Sequence, residues 1–459
     1  MVITRAEVHC FNKTHESFHV LDAACFRSKN LHNKANYYIR RVYIFSSRLA
    51  RDIPLNDDGQ QCIAEINKVV DDYNIFKKDQ CKKSGKTFSK HPYFGKCLKT
   101  IGYDFLNFFL KTTDEYKALN AQVAQQTLML VIKNWVSYHQ SIQEWIKEPE
   151  KFTGKPGMPY YKDKTTGRFT VTVTNQVFSK EGSVICFSKN LNNVQINTTI
   201  DAPCQVRINP KGSFYTVDVV YKKTVPKLIK TTNILGIDLG VNNLVTMVNN
   251  IGLQPVVVKG EVIKSYNQYY NKRTAHYTSI LEAETGRKTS NMLETINRKR
   301  YWFIKNFMHK TSCFIVDYCV EHNIDTIVIG KNNQWKTNIN LGSVTNQKFV
   351  YIPYNLLIDQ IKYKARDAGI RVKINEEAYT SKASFLDSDE IPKYDKNSDK
   401  PKFSGRRKHR GLYKSADGTL INADVNGAYN IIRKVFPNAF KRNGIEGVGR
   451  HPIKVNVLS

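Results

Sequence analysis

The sequence predicts a mixed α/β protein with more than one domain. A chain of 459 residues is too long to bury itself around one compact core. Apolar residues recur with helical spacing over much of the first third, and short alternating strands follow them. From Ile234 onwards, apolar strands and helices alternate, which is the pattern of a sheet covered by helices.

The first half is predicted to be a β-domain with a helical insertion. Residues 1–28 are expected to form one or two strands, and residues 33–148 carry helical patterns, clearest from Ala118 to Lys147. The turn-rich segment Phe152–Lys164 ends the helices, and Lys222–Asn233 is the expected domain boundary. Between them, a small β-barrel or sandwich is predicted from strands near Phe169–Thr174, Val184–Phe187, Val194–Asn197, Gln205–Ile208 and Phe214–Tyr221.

The second half has the element order of the RNase H-like fold. Three apolar segments, beginning with ILGID at Ile234, predict antiparallel strands that lead into parallel ones through right-handed crossovers. After the strands ILGID, Leu244–Val248 and Pro255–Lys259, the predicted elements are a helical stretch Glu261–His322, the strand Thr326–Gly330, a helix near Tyr354–Ala368, the strand Arg371–Asn375, a polar insert and a helix from Asp424 to Phe436.

The charge of the chain predicts a polyanionic partner. Lys and Arg exceed Asp and Glu by 70 − 40 = +30, and the basic residues are spread along the whole sequence. A folded protein tolerates this self-repulsion best when phosphates neutralise it and release their counterions. The spread favours a long nucleic-acid groove over a single basic arm; the alternative is a merely soluble basic protein.

Cysteine usage and hydropathy predict an intracellular protein. Nine cysteines, an odd number without any CxxC pair, indicate reduced thiols and no zinc site. The start, MVITRAEVHC, lacks the apolar region of a secretion signal, and no segment approaches the ~20 apolar residues of a membrane span.

Asp238 is the first candidate catalytic residue. It ends the apolar strand of the GIDLG segment, where a carboxylate points out of the core at the edge of the sheet. Actin-like ATPases use the same element in a phosphate loop, but they need a second glycine-rich loop that this sequence lacks downstream. A purely structural turn aspartate is the other alternative.

Asp424 is the second candidate. It precedes the helical stripe Ala428, Ile431, Ile432 and Val435, so it is expected in the first turn of that helix. A plain N-cap is the alternative, and both roles are compatible because a capping position also directs a carboxylate out of the helix end.

Two-metal phosphodiester hydrolysis requires a further carboxylate. Mg²⁺ prefers hard oxygen ligands, and two such ions need about three or four carboxylates. Gly330 ends the strand where a third acid is expected, whereas Glu376 and Glu377 follow the neighbouring strand. Strand alternation directs only one of these two glutamates towards the site, and we favour Glu377.

Several motifs resemble the TnpB/Fanzor family of transposon-encoded RNA-guided nucleases, which are related to type V CRISPR effectors. GIDLGVNNLVT is similar to the first RuvC motif, IDTIVIGKNNQWK with NEEAYTSK to the second, and NADVNGAYNI to the third. LNAQVAQQTLMLVIKNW resembles the helical recognition segment, and KPGMPYYKDK the turn that opens the second part of the wedge domain. The resemblance covers essentially the whole chain.

The resemblance implies a RuvC nuclease domain and a β-barrel wedge domain that carries a helical recognition insertion. Asp238 and Asp424 match the first and last catalytic aspartates, and Glu377 matches a glutamate that the Fanzor branch uses in place of the one at Gly330. The implied divisions are wedge 1–30 and 151–230, recognition 31–150, RuvC 231–378 and 424–459, and a target-nucleic-acid-loading insert at 379–423. Residues 380–423 lack the paired CxxC motifs of most members, so this insert is expected to hold together without zinc, or to be partly disordered.

Basic residues on three segments are candidate nucleic-acid contacts. The segment Ser28–Arg41 resembles the surface of the family for guide RNA and the motif that flanks the target, Arg298–Lys310 interleaves cations with rings, and RRKHR at Arg406–Arg410 is a phosphate-contact or nuclear-address candidate. The alternative for the second segment is an amphipathic core helix with a solvated basic face. The individual candidates are Lys34, Arg40, Arg41, Arg298, Lys299, Arg300, Lys310, Lys331, Lys336, Arg406 and Arg407.

The expected function is RNA-guided cleavage of double-stranded DNA with two Mg²⁺ ions and no zinc. The implied partners are a guide RNA and target DNA, with no membrane and no required oligomer. The implied setting is the cytoplasm of a prokaryote, or a nucleus or viral factory. Two alternatives remain, a guided DNA-binding protein without catalysis and a conventional transposase on the same sheet.

Overall fold

The computed structural model describes residues 2–187, 191, 194–228, 230–331, 352–393, 401–409, 411–440 and 449–458. Their contacts divide the chain into two compact units, Thr4–Lys223 and Met1–Ile3 with Thr224–Ser459. Each unit contains helices and sheet, which confirms the mixed α/β class. The position that separates the units lies within the segment Lys222–Asn233. The candidate contact Lys336 lies outside the described residues.

The helices of the first unit pack around their own apolar core. Asn56 and Asn120 cap two of them, because each side-chain oxygen accepts a hydrogen bond from a backbone N–H of the first turn. Val123, Val131 and Trp135 are buried, as the predicted apolar stripe requires. The helices are α1 (Phe18–Leu49), α2 (Asp57–Ser84), α3 (Tyr103–Leu110), α4 (Asp114–Lys117) and α5 (Ala121–Lys147).

The prediction of strands throughout residues 1–28 is wrong for its second part. The strand ends at Asn12, and α1 has begun by Phe18. Leu21, Cys25 and Ser28 are completely buried, and their spacing places them on one side of a helix. The predicted division between residues 30 and 31 therefore falls inside a continuous helix.

The strands of the first unit form two small sheets that share one core. One sheet has the order β1, β7, β6, β2, and the other has the order β3, β4, β5. The predicted strands are present, with one more at Phe178–Glu181, while a closed barrel stays a prediction. The strands are β1 (Val2–Asn12), β2 (Val171–Thr174), β3 (Phe178–Glu181), β4 (Val184–Phe187), β5 (Gln195–Asn197), β6 (Pro203–Pro210) and β7 (Phe214–Thr224).

The second unit is built on a central sheet with the order β12, β11, β8, β9, β10, β16. Strands β8, β9 and β10 are antiparallel neighbours, whereas β11 runs parallel to β8 and β12 parallel to β11. The predicted sequence of antiparallel and then parallel strands is therefore observed. These strands are β8 (Ile234–Leu239), β9 (Asn243–Asn249), β10 (Val256–Lys259), β11 (Thr326–Gly330), β12 (Arg371–Asn375) and β16 (Ile453–Val455).

Helices cover both faces of this sheet. Leu235 and Ile237 belong to one apolar core, and Ile234 and Val248 belong to another that includes the last helix. That helix lies close to β8, because a Cβ at Gly236 would come within 2.6 Å of Ile432 Cγ1. The helices are α6 (Glu261–Thr285), α7 (Asn291–Glu321), α8 (Tyr354–Asp367) and α9 (Ala423–Val435).

The insert between β12 and α9 is fastened by buried amides of α9. Asn426 Nδ2 donates to the carbonyl of Ala383 (2.8 Å), and its Oδ1 accepts from the Phe385 N–H (2.9 Å). One turn later, Asn430 Nδ2 donates to the carbonyl of Thr380 (2.9 Å). The insert also contains a small antiparallel sheet of β13 (Arg406–His409), β14 (Leu412–Lys414) and β15 (Leu420–Asn422).

Within the described ranges, no helix is both long and apolar enough to cross a membrane.

Candidate active site

Asp238 lies at the end of β8, half-buried against α9. The approach is close, because a Cβ on Gly427 of α9 would come within 3.0 Å of Asp238 Oδ2. Burial raises the pKa of Asp238 well above its usual range, and the nearby Glu377 and Asp424 carboxylates raise it further. Asp238 therefore lies where it interacts with both other predicted carboxylates.

The Glu377 carboxylate lies beside Gly330, at the end of β11. Ile237 of β8 pairs with Ile329 of β11, so Gly330 comes next along β11 as Asp238 does along β8. A Cβ at Gly330 would lie 3.0 Å from Glu377 Oε2. Burial raises the pKa of Glu377 to about 7, against the opposing effect of Lys434.

Glu376 has different surroundings from its neighbour. Its side chain is 41% exposed, and its Oε2 accepts a hydrogen bond from Lys434 Nζ at 3.4 Å. The same ammonium group donates to the carbonyl of Ala378 (3.0 Å). Glu376 is thus held by a cation, while Glu377 lies beside Gly330.

Asp424 is in the first turn of α9 but does not cap it. Asn422 is the N-cap, since its Oδ1 accepts from the backbone N–H groups of Asp424 (3.0 Å) and Val425 (3.1 Å). The Asp424 carboxylate instead accepts from Asn243 Nδ2 (2.7 Å) and lies 3.6 Å from the Arg407 guanidinium. The plain N-cap alternative for Asp424 is therefore wrong.

Asn243 and Arg407, the two partners of Asp424, come from different elements. Asn243 begins β9, and Arg407 comes from β13 of the insert and is 46% exposed. In the described part of the chain, no group of three or more His, Cys, Asp or Glu side chains forms a ready metal-binding cluster. Arg407 is visible in the sequence only as a positive charge, and the contact of Asn243, in the segment GVNNLV next to the Asp238 motif, is not predicted from the sequence.

The candidate contacts on α1 are engaged within the first unit. Lys34 Nζ lies 3.2 Å from Glu115 Oε1, and Arg40 Nη1 donates to the carbonyl of Pro159 (2.8 Å). Arg41 forms an ion pair with Asp58, and its guanidinium lies over the rings of Tyr37 and Phe45. These contacts give all three cations a structural role.

The candidate contacts of the second unit differ in their surroundings. Arg300 joins α7 to α6, because Nε donates to Asn267 Oδ1 (2.9 Å) and the guanidinium lies 4.8 Å from the Tyr270 ring centroid. Lys331 Nζ donates to Asn355 Oδ1 (2.8 Å). Of the other candidates, Arg298 is half-buried, and the exposed ones are Lys299, Lys310, Arg406 and Arg407.

Two family models match the chain. Residues 215–336 match a family described as "Probable transposase" (OrfB_IS605), and residues 354–431 match a "Cas12f1-like, TNB domain". Together they include Asp238, Glu377 and Asp424. No curated protein sequence matches the chain.

Solved structures resemble the chain only distantly. A Cas12f1–sgRNA–target DNA complex is 14% identical, with a TM-score of 0.31 over 94% of this chain and 98% of that one. The mini-RNA-guided endonuclease CRISPR-Cas_phi3 is 10% identical, with a TM-score of 0.35 over 85% and 90%. C2c1 of Alicyclobacillus acidoterrestris with single-guide RNA is 8% identical, with a TM-score of 0.37 over 87% and 70%. Identities and TM-scores this low do not support an argument about function.

Proposed function

We propose that the chain is an RNA-guided DNA endonuclease of a TnpB-like family, because residues 215–336 and 354–431 match the two family models. A guide RNA pairs with target DNA beside a short flanking motif, and one carboxylate site cuts both strands. In this proposal the second unit is an RNase H-like RuvC nuclease domain. The first unit supplies the wedge sheets and the helical recognition insertion.

One observation carries the proposal. The Asp238 carboxylate, near the end of β8, interacts with the carboxylates of Glu377 and Asp424, which come from segments remote in sequence. Glu377 Oε2 lies beside Gly330. The third carboxylate of the proposed site therefore comes from the segment after β12 and not from β11 itself. A structural turn aspartate would need neither of the other two acids.

The donor set fits Mg²⁺. All three ligands are carboxylates, the hard oxygen donors that Mg²⁺ prefers. Burial raises the pKa of both Asp238 and Glu377, and the nearby Glu377 and Asp424 carboxylates raise that of Asp238 further, so a bound cation would be favoured at this site. We propose that Asp238, Glu377 and Asp424 hold two Mg²⁺ ions, which supply an activated water and stabilise the leaving 3′ oxygen.

The protein groups around the carboxylates orient the site. The Asn243 amide fixes one oxygen of Asp424, and the N-terminus of α9 favours negative charge there. We assign to Arg407, which is half exposed beside Asp424, a contact with the phosphate of the DNA strand being cut.

Substitution of Asp238 tests the proposal. We expect Asp238→Asn to abolish DNA cleavage while RNA binding, measured by filter retention, stays at the wild-type level. The isosteric amide preserves packing against Gly427 but removes the charge. Undiminished cutting by this variant would refute the assignment.

A second candidate function is guided DNA binding without cleavage. It is favoured by the ion pair of Arg407 with Asp424 and by the absence of a ready metal cluster among the described residues. This candidate predicts that wild-type protein loaded with RNA binds target DNA but leaves it intact at any Mg²⁺ concentration.

The third candidate, a conventional transposase, is favoured by the description of the family that matches residues 215–336. It predicts strand transfer of DNA ends that survives treatment with RNase. A guided nuclease loses its activity under the same treatment.

A further inference from the structure

The segment Pro159–Arg168 of the first unit is held by a polar stripe of α1. Four side chains with helical spacing donate hydrogen bonds to its backbone carbonyls, and two of the four are buried. The bonds run from Lys29 Nζ to the carbonyl of Lys164 (2.6 Å), from Asn33 Nδ2 to that of Lys162 (2.8 Å), and from Asn36 Nδ2 and Arg40 Nη1 to that of Pro159 (3.1 and 2.8 Å).

The far end of the same loop is fixed as well. Asp163 Oδ1 accepts from the backbone N–H groups of Thr165 (3.0 Å) and Thr166 (2.6 Å), which closes a tight turn. Arg168 then forms a bidentate pair with Asp22 of α1, with both N···O distances at 2.8 Å. The backbone of the loop is therefore restrained at both ends and in its middle.

The side chains that this loop displays take little part in folding. Every residue from 160 to 166 is exposed, and Tyr160 reaches 79% exposure. Tyr161 is 46% exposed, with the Arg40 guanidinium 5.3 Å from its ring centroid. Lys162 and Lys164 flank the turn. A rigid backbone thus presents tyrosine rings beside two ammonium groups.

We propose that the Pro159–Arg168 loop binds an unpaired stretch of RNA, with Tyr160 stacking on a base and Lys162 and Lys164 contacting phosphates. Exposed rings on a fixed backbone stack on splayed bases with little loss of conformational entropy. A B-form duplex keeps its bases stacked inside, whereas single-stranded RNA offers free base faces. The inference rests on the proposed function, because it assigns part of the guide-RNA surface to this loop.

Fluorescence anisotropy with a labelled oligo-uridine RNA and the full-length protein tests the inference. We expect Tyr160→Ala to weaken binding about 5- to 100-fold, the range seen when one stacked base loses its ring. Tyr160→Phe keeps the ring and retains the affinity. The matched control is Tyr93→Ala, because Tyr93 is 48% exposed in the same unit and its hydroxyl donates to Asp71 (2.6 Å).

Two further variants separate the parts of the loop. Substituting both Lys162 and Lys164 by alanine is expected to reduce the slope of log binding constant against log salt concentration by about 0.7 for each phosphate contact that is lost. Asn33→Ala removes both hydrogen bonds to the Lys162 backbone without touching a displayed side chain, and it weakens RNA binding because the loop must then be ordered on binding.

The inference is overturned if Tyr160→Ala binds the RNA as tightly as wild type and Tyr93→Ala, or if its loss appears only with duplex DNA. Neither result touches the proposed function. That function fails on a separate measurement, namely DNA cleavage that persists after RNase treatment of the wild-type protein.

Discussion

At the residue scale, the two adjacent glutamates after β12 have opposite surroundings. Glu376 is paired with Lys434 and partly exposed, whereas the half-buried Glu377 carboxylate lies beside Gly330 and interacts with Asp238. Because ligands of a shared metal ion must lie close to one another, Glu377 is the better candidate of the two. The alternation of side chains along the extended chain accounts for the difference.

We therefore expect Glu377→Gln to reduce DNA cleavage by at least about 100-fold, the scale of losing one group that stabilises the transition state. Glu376→Gln retains cleavage close to the wild-type rate and serves as the matched control. Single-turnover cleavage of a labelled target measures both. Equal loss in the two variants would show that the effect comes from the backbone and not from a ligand.

The raised pKa of Glu377 predicts a pH dependence of metal binding. With a pKa of about 7, this carboxyl is largely protonated at pH 6 and largely ionised at pH 8. A proton competes with Mg²⁺, so the apparent Mg²⁺ affinity is expected to rise with pH through 7 and to fall by up to about tenfold per pH unit below it. Calorimetric Mg²⁺ titrations between pH 6 and 8 measure it, and a flat profile would contradict the role of Glu377.

Local sequence was enough to suggest some of the candidate residues but not the groups that contact them. Asp238 ends an apolar strand and Asp424 precedes a helical stripe, so each is visible in a short window. Asn422, the N-cap in place of Asp424, makes a local contact, whereas Asn243, which holds Asp424, lies 181 positions away and became apparent only when distant segments were brought together. The charge of Arg40 suggested a phosphate contact, yet its partner is a carbonyl 119 positions away.

At the element scale, helices and strands with a strong local pattern were likewise predicted, whereas those decided by packing between distant segments were not. Strands β8 to β11 were predicted because each is an apolar run bounded by turns. The first turns of α1 were predicted as strand, because the short segment that separates them from β1 gives no clear boundary in the sequence. The burial of Leu21, Cys25 and Ser28 by the β-sheets and helices of the first unit decides in favour of a helix there.

The packing of α9 on β11 makes Gly330 a sensitive position. A Cβ there would overlap the Ile431 side chain and lie 3.0 Å from Glu377 Oε2. We expect Gly330→Ala to displace the Glu377 carboxylate, to lower cleavage, and to destabilise the second unit by about 1–3 kcal/mol, as overpacking typically does. Thermal unfolding and cleavage rates measure the two effects.

Gly154→Ala is the control for this substitution, since a Cβ at Gly154 would meet no heavy atom within 4 Å. Its cleavage rate and unfolding temperature are expected to match the wild type. A Gly330→Ala variant as active and stable as this control would show that α9 moves away from β11 at no cost.

At the scale of the whole molecule, the net charge of +30 has to be reconciled with two stable units. The charge indicates the same class of partner, nucleic acid, as the proposed function requires. The charge did not indicate which surface would bind that partner, because most basic side chains on α1 form hydrogen bonds or ion pairs within the first unit. Lys29 and Asn36 are buried under one loop by tertiary packing, which cannot be predicted from composition.

The excess charge also predicts how stability responds to polyanions. Like charges repel in the folded state, so RNA that neutralises them is expected to raise the unfolding temperature. Ligand present at about 100 times its dissociation constant adds about 2.7 kcal/mol of stability to the species that binds it. Differential scanning fluorimetry with and without oligo-uridine RNA measures the gain, and added salt should abolish it by screening the phosphates. A gain that persists at high salt would mean that stacking, as proposed for Tyr160, outweighs charge in holding the RNA.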